Sequence, residues 1–466
     1  MTPRLAWIPF LAALPCAAQS DDPLAAARKA LRNDGVATAW RLAQQALKDR
    51  PDLAAAHELA GEVLFRRGEF EQARAEFESA RKLDSEFALT WWELARVSEC
   101  ESMSKTAREY FQRAFELDPN DPRIVRDWLA RLSGPSLLKA LEKYSSLTAQ
   151  IGSADREDFD QGAQLAKAVQ GRTLNVLASA YATTEIPLAT FVNEKTRMRS
   201  YGLDVSVNGT ILHLLLDTGA SGIVIPKKTA ERSGVARLAQ ATLRGFGDSS
   251  RPSAGYRGVA ERLRIGSVEY RDAMISVADQ DSVGIADGLI GANVFAAFLV
   301  TLDFAGRKMK LDPLPGYHPG NNQAEDRVIP PSMEHAARVF RFGHLLLLGT
   351  RVNSSREALF VLDTGADRTL ISYDLANEVS RLTPETRMRM SGINGRVVDL
   401  YQTSDLVLRF AGFEQKSTGM TSIDTWEQSR RIGTEISGFL GLPVLDLFTL
   451  TIDYRDGLVN FERRGP

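Results

Sequence analysis

From about Asp22 to Gln170, apolar residues recur every three or four positions against a background of Ala, Leu, Arg and Glu, with few β-branched runs. That spacing predicts amphipathic helices. Beyond about Gly171 the pattern changes to short segments in which Val, Leu, Ile and Phe alternate with polar residues and break at Gly or Asn-Gly. Such alternation predicts half-buried strands joined by tight turns. The chain therefore divides into an all-α part followed by an all-β part, and its 466 residues suffice for roughly three domains.

The helical part repeats itself. Ala73, Phe77, Ala80, Leu83 and Asp84 return 34 positions later as Ala107, Phe111, Ala114, Leu117 and Asp118. On the same period His57 and Gly61 fall opposite Trp91 and Ala95, while Ala46 and Pro51 hold the places later taken by Ala80 and Ser85. A repeat of this length marks stacked helix pairs, each burying its apolar face on its neighbours. From Asp22 to Leu132 the pattern resembles the tetratricopeptide repeat. The resemblance implies either a concave surface for a peptide or protein partner or a helical spacer, because the fold does not name its ligand.

The strand-rich part is one unit written twice. Leu214-Leu-Leu-Asp217-Thr-Gly-Ala220 returns as Phe360-Val-Leu-Asp363-Thr-Gly-Ala366, offset by 146 residues. Asp287-Gly-Leu-Ile-Gly291 returns as Ser437-Gly-Phe-Leu-Gly441, and Thr301-Leu-Asp303 as Thr451-Ile-Asp453, both offset by 150. Order and spacing are kept together, so each copy is one lobe, and the Pro-rich stretch between them is a linker. The expected domains are a signal peptide at 1–21, helical repeats at 22–170, a first lobe at 171–312, the linker at 313–335 and a second lobe at 336–466.

Each Asp-Thr-Gly follows one apolar strand and precedes another, Ile223-Val-Ile225 and Thr369-Leu-Ile371. Asp217 and Asp363 are thus placed on tight loops between strands. A carboxylate there is costly unless it is hydrogen-bonded or used, and two at matching sites of a duplicated unit imply a pseudo-twofold axis that brings them face to face.

The paired loops, each followed by a strand of two apolar residues and Gly, resemble those of the pepsin–retropepsin family of aspartic peptidases. The wording of Val361-Leu-Asp363-Thr-Gly-Ala-Asp367 is nearer the retropepsins. The resemblance spans about Arg197 to Glu462 and implies a two-lobed acid-protease β-barrel fold. It also implies catalysis by Asp217 and Asp363 as a dyad that shares one proton: the ionised member takes a proton from water while the other polarises the scissile carbonyl. Gly219 and Gly365 would bring backbone N–H groups to the carboxylates, and Thr218 and Thr364 would tie each loop to the opposite lobe. The Gly-rich segments at Gly245 and Gly247, and at Gly392 and Gly395, resemble flap hairpins, with an ordinary turn the plainer reading. Asp367 matches a retropepsin residue that holds substrate main chain, whereas its counterpart in the first lobe is Ser221. Ala220 and Ala366 stand where pepsin-like enzymes carry Ser or Thr, which lets the carboxylate pKa values rise. Ala292 stands where retropepsins carry an Arg.

Composition narrows the rest. Lys and Arg nearly balance Asp and Glu, for a formal charge of −2, so no nucleic-acid or anionic-membrane footprint is expected. Five histidines without a His-Glu-x-x-His, and no Gly-x-Ser-x-Gly, leave no metal, cofactor or serine nucleophile in prospect. His213, in an apolar strand, is expected in the core. Arg4, the apolar run Leu5 to Leu14 and the small residues Ala17 and Ala18 read as a cleaved export signal rather than a membrane span. Export then points to a periplasmic or extracellular protein, with Cys100 an inert packing residue. The expected partner is a peptide or protein substrate, cut by a monomer whose lobes pair within one chain. The alternative is a peptide-binding protein that does not cut.

Overall fold

The structure, a computed structural model, describes residues 22–33, 35–148, 152–169, 171–192, 199–245, 253–280, 286–317, 325–386, 388, 390–392, 395–397 and 399–463. Helices Val36–Asp49, Phe70–Leu83 and Ser104–Leu117 begin 34 residues apart, as do Ala54–Arg66 and Ala88–Cys100. Small residues set how closely they approach. A Cβ at Gly61 would run into the Phe77 ring, and Ala39, Ala43, Ala73, Ala80 and Ala114 are fully buried between helices. Asp121 starts helix Pro122–Ala130 by accepting from the Arg123 N–H at 2.8 Å, and Pro122 has no N–H to leave unpaired there. No helix among the described residues is long and apolar enough to cross a membrane.

The two lobes fold alike. In the first, strand Gly288–Gly291 runs parallel to Thr210–Asp217, with Gly291 opposite Asp217, and antiparallel to Ile223–Pro226. In the second, Gly438–Gly441 runs parallel to Glu357–Asp363, with Gly441 opposite Asp363, and antiparallel to Leu370–Ser372. The apolar-apolar-Gly strand thus lies between the two strands that flank each Asp-Thr-Gly loop, which explains why those motifs recur together. One face of each strand enters a core common to both lobes, containing Leu214, Leu216, Phe295, Phe360, Leu362 and Phe448. The other face carries Leu215, or Leu359 and Val361, on the same side as the aspartates, because side chains alternate along a strand.

Strands Phe298–Asp303 and Phe448–Asp453 join the lobes, pairing antiparallel with Thr301 opposite Thr451. Their hydroxyls lie 3.2 Å apart. Residues 150 apart in sequence therefore meet each other, which puts the pseudo-twofold axis through this pair. The stretch after Gly171 belongs to the sheet part: Thr184–Pro187 pairs with Lys308–Pro313, and Val176–Leu177 with Val268–Ala278.

The helical module is docked on both lobes. Phe70 packs against Phe340 with ring centroids 4.5 Å apart, and Phe65 and Phe70 both meet Phe342 edge-on or tilted. Thr434 Oγ1 donates to the Phe65 carbonyl at 2.7 Å and the Glu435 N–H to the Arg66 carbonyl at 2.8 Å. Thr106 donates twice to Asp326, in the stretch between the lobes. On the first lobe, Gln161 of helix Ser153–Ala168 exchanges two hydrogen bonds with Thr242 of strand Ala236–Leu243. Cys100 is buried in the apolar contact with the second lobe, and burial holds its thiol well above the usual range.

One expectation fails. His213 is not in the core: its strand alternates so that Leu212 and Leu214 are buried while Ile211 and His213 face outward. Its Nδ1 meets Asp204 Oδ1 at 2.7 Å.

Inside the helical module Glu58 and Glu93 are fully buried, each with one oxygen lacking a partner. Burial pushes Glu58 up to about 6 from 4.5 and Glu93 to about 8. A carboxyl whose folded pKa is raised favours the folded state below its unfolded pKa, and that contribution is lost as pH rises through the folded value. Stability against urea should therefore fall from pH 4.5 to 8. Glu58→Gln should flatten the part between pH 4.5 and 6, worth about 2 kcal/mol; an unchanged slope would show that Glu58 binds its proton alike in the folded and unfolded states.

Candidate active site

The site begins with two strands that end in a carboxylate and a turn. Asp217 closes Thr210–Asp217 and Asp363 closes Glu357–Asp363. The Gly219 N–H donates to Asp217 Oδ1 at 2.8 Å. The Gly365 and Ala366 N–H groups donate to Asp363 Oδ1 at 3.0 and 2.9 Å. The loops are then crossed. Thr218 Oγ1 donates to the Leu362 carbonyl at 2.7 Å and Thr364 Oγ1 to the Leu216 carbonyl at 3.0 Å, while each threonine N–H donates to the other's hydroxyl at 3.0 Å. Both threonines are almost fully buried.

This lattice sets the carboxylates side by side, hydrogen-bonded to each other. A Cβ at Gly219 would lie 3.0 Å from Asp363 Cγ, and one at Gly365 would collide with the Asp217 carboxyl. Each glycine thus faces the other lobe's aspartate, and the absence of a side chain is what leaves room. Burial raises both pKa values above the usual 3.8, and the neighbouring Asp217 charge drives Asp363 well above it. Two carboxylates this close hold one proton between them. The arrangement can take a proton at one oxygen and give one at the other, which is general acid–base chemistry on a bound water.

Both lobes match aspartyl protease family models. Residues 203–297 match a model described as "gag-polyprotein putative aspartyl protease", and residues 349–444 match one described as "Aspartyl protease". Among solved structures, the crystal structure of aspartic proteinase from Irpex lacteus aligns with 61% of this chain and 98% of its own, at 13% identity and a TM-score of 0.37. No curated protein matches the chain.

The remaining expected residues of these aspartyl-protease-like domains sit as follows. Gly392 and Gly395 face each other across the two-stranded hairpin of Met390–Gly392 and Gly395–Val397. Gly245 follows strand Ala236–Leu243, which pairs with Ser253–Ile265 so that Leu243 opposes Ser253; Gly247 lies outside the described residues. Asp367 is gripped by its own neighbour, Arg368 Nε at 3.0 Å, and Ser221 is exposed. The first loop is held from behind by Asn293, whose Oδ1 accepts the Gly222 N–H at 2.9 Å.

Sequence reasoning missed His344. It sits at the tip of the hairpin of Ala337–Phe342 and Leu345–Val352 and donates Nε2–H to the Gly219 carbonyl at 3.1 Å. Nothing in its local sequence marks it, since its partner lies 125 residues away. Next to this tip, the helical module and the second lobe enclose a cavity of about 1530 Å³, with Phe65, Trp92, Phe342, Gly343 and Trp426 among its walls. A group of acids with metal-ligand spacing, Glu58, Glu62 and Glu93, is instead occupied by Arg28, Arg66 and Arg96.

Replacing Thr218 or Thr364 by Val removes two buried hydrogen bonds and strands the groups they served, at about 1–3 kcal/mol for each group left unpaired. Urea unfolding should register that loss for either Val variant and much less for Thr→Ser. Equal midpoints for Val and wild type would show that the crossing bonds do not hold the lobes together.

Proposed function

We propose that this protein is an aspartic endopeptidase in which a water bound between Asp217 and Asp363 attacks the peptide carbonyl. The observation that carries the reading is the pair of mutually hydrogen-bonded, proton-sharing carboxylates supplied by two Asp-Thr-Gly loops of one chain. The ionised member of the pair takes the proton from water while the protonated member donates to the carbonyl oxygen, and the two then exchange roles, the assignment being a property of the pair. The segments at Gly245 and Gly392–Gly395 act as flaps that fold over a bound peptide. The helical repeats are of the tetratricopeptide kind and receive a protein partner or a stretch of substrate, the cavity beside Phe342 and Gly343 being the place for it. The first 21 residues direct export to the periplasm or beyond, and one chain acts as a monomer.

The test is cleavage of an unstructured protein such as casein by the wild type, Asp217→Asn and Asp363→Asn. Each variant should lose at least ~100-fold in kcat, since either loss abolishes the shared proton. A wild type that is folded and binds peptides without cutting them would favour the non-catalytic alternative.

The pH profile follows from the same raised carboxyls. Activity needs the pair to hold one proton, so the two limbs report the pair's two macroscopic pKa values, which burial of both carboxyls displaces upward from about 3.9. A bell with its maximum above about pH 4 is expected; a maximum below about pH 3 would contradict it.

A further inference from the structure

Where the first lobe, the second lobe and the helical module come together, three arginines share two carboxylates. On helix Trp426–Ile432 of the second lobe, Arg430 pairs with Glu427 at 3.0 Å and lies over the Trp426 ring. Arg244, just beyond strand Ala236–Leu243 of the first lobe, pairs with Asp158 of helix Ser153–Ala168. Arg431 is left over. The charges around it are Glu427 and Asp158, each already taken by another arginine, and Arg244 and Arg430 themselves. Among the described residues no carboxylate pairs with Arg431.

This guanidinium stands close to the catalytic loops. Arg431 lines the cavity of about 1530 Å³ together with Asp158, Phe342 and Gly343. The residue after Gly343 is His344, whose ring holds the Gly219 carbonyl at 3.1 Å and feels the Arg431 charge. Gly219 in turn faces the Asp363 carboxyl. Asp374 and Glu378 also line the cavity, from helix Tyr373–Val379, but the charges that act on Asp374 are those of Glu435 and Asp424, so it does not neutralise Arg431. The cavity exceeds the roughly 300–1,000 Å³ of small-molecule pockets and suits a stretch of chain.

We infer that Arg431 sets the specificity of the cleft by receiving an acidic side chain of the peptide substrate near the scissile bond. This deepens the peptidase reading and rests on it for the ligand being a substrate. A guanidinium presents a planar fork that a carboxylate meets with two charge-assisted hydrogen bonds. Partial burial and the like charges of Arg244 and Arg430 hold the Arg431 pKa below its usual value despite Glu427, and a carboxylate alongside would offset that cost. A lysine at the same place in the substrate would meet three arginines instead.

The experiment uses quenched fluorescent peptides of one sequence in which each position near the scissile bond carries Glu, Gln or Lys in turn. They are offered to the full chain as wild type, Arg431→Lys, Arg431→Gln and Arg431→Glu. At one position wild type should prefer Glu over Gln by about tenfold in kcat/KM, chiefly through KM, and added salt should shrink the preference. Arg431→Gln should lose it, Arg431→Lys should keep part, and Arg431→Glu should favour Lys at that same position, an inversion that a merely structural role would not produce. Because Arg431 serves no other group, its replacement strands no buried polar atom. A wild type without a Glu preference at any position, or a preference that survives in Arg431→Gln, would overturn the inference. If nothing is cleaved, the peptidase reading falls, and fluorescence anisotropy of the labelled Glu peptide still judges Arg431: binding about tenfold weaker in Arg431→Gln than in wild type supports it, and equal affinities overturn it.

Discussion

The crossed pair of Thr218 and Thr364 is the constraint on which the rest of this structure depends. Two buried carboxylates placed side by side repel, and neither burial nor Coulomb interaction would bring them together unaided. What opposes that repulsion is a set of four hydrogen bonds running between the loops, closed away from water where an unmade bond is expensive. Because each threonine donates to the opposite strand and accepts from the opposite loop, neither loop can shift without breaking bonds at both ends. The glycines follow from that closeness: any side chain at Gly219 or Gly365 would occupy the space of the other lobe's carboxyl.

The duplicated unit was legible in the sequence because its parts touch one another within each copy. Asp217 lies opposite Gly291 and Asp363 opposite Gly441, so the Asp-Thr-Gly loop and the apolar-apolar-Gly strand are constrained together and recur together. Thr301 and Thr451 recur for another reason, that they meet on the axis itself. The 34-residue helical period was legible on similar grounds, since Gly61 and Phe77 belong to one helix pair and their sizes must match.

What escaped is what no local pattern encodes. His213 was misjudged because a strand with one wet face places polar and apolar residues alternately, and Ile211 on its exposed side made that face look apolar. His344, Phe340 and Phe342 sit in an ordinary alternating hairpin, and their partners are 125 or some 270 residues away. A contact of that span leaves no periodicity to read. The same holds for the docking of the helices, made in part by backbone carbonyls at Phe65 and Arg66 that any sequence supplies.

The docking also distinguishes the two lobes, which share one strand arrangement around their aspartates. On the aspartate-bearing face of the first lobe, Leu215, Val224 and Leu289 close on Phe191, Leu243 and Ala278 of the same lobe. On the matching face of the second lobe, Val361, Leu370 and Phe439 belong to one apolar cluster with Leu64, Phe65, Phe70 and Val97 of the helical module. Hydrophobic burial of this kind is collective, and a well-packed side chain contributes about 1.5–3 kcal/mol, so the module cannot leave without exposing that face and its own Phe65 and Phe70. The helices are therefore part of the second lobe's structure rather than a tethered accessory. The faces of the two aspartate-bearing strands are thus closed by one lobe on one side, and by a lobe and the helical module together on the other.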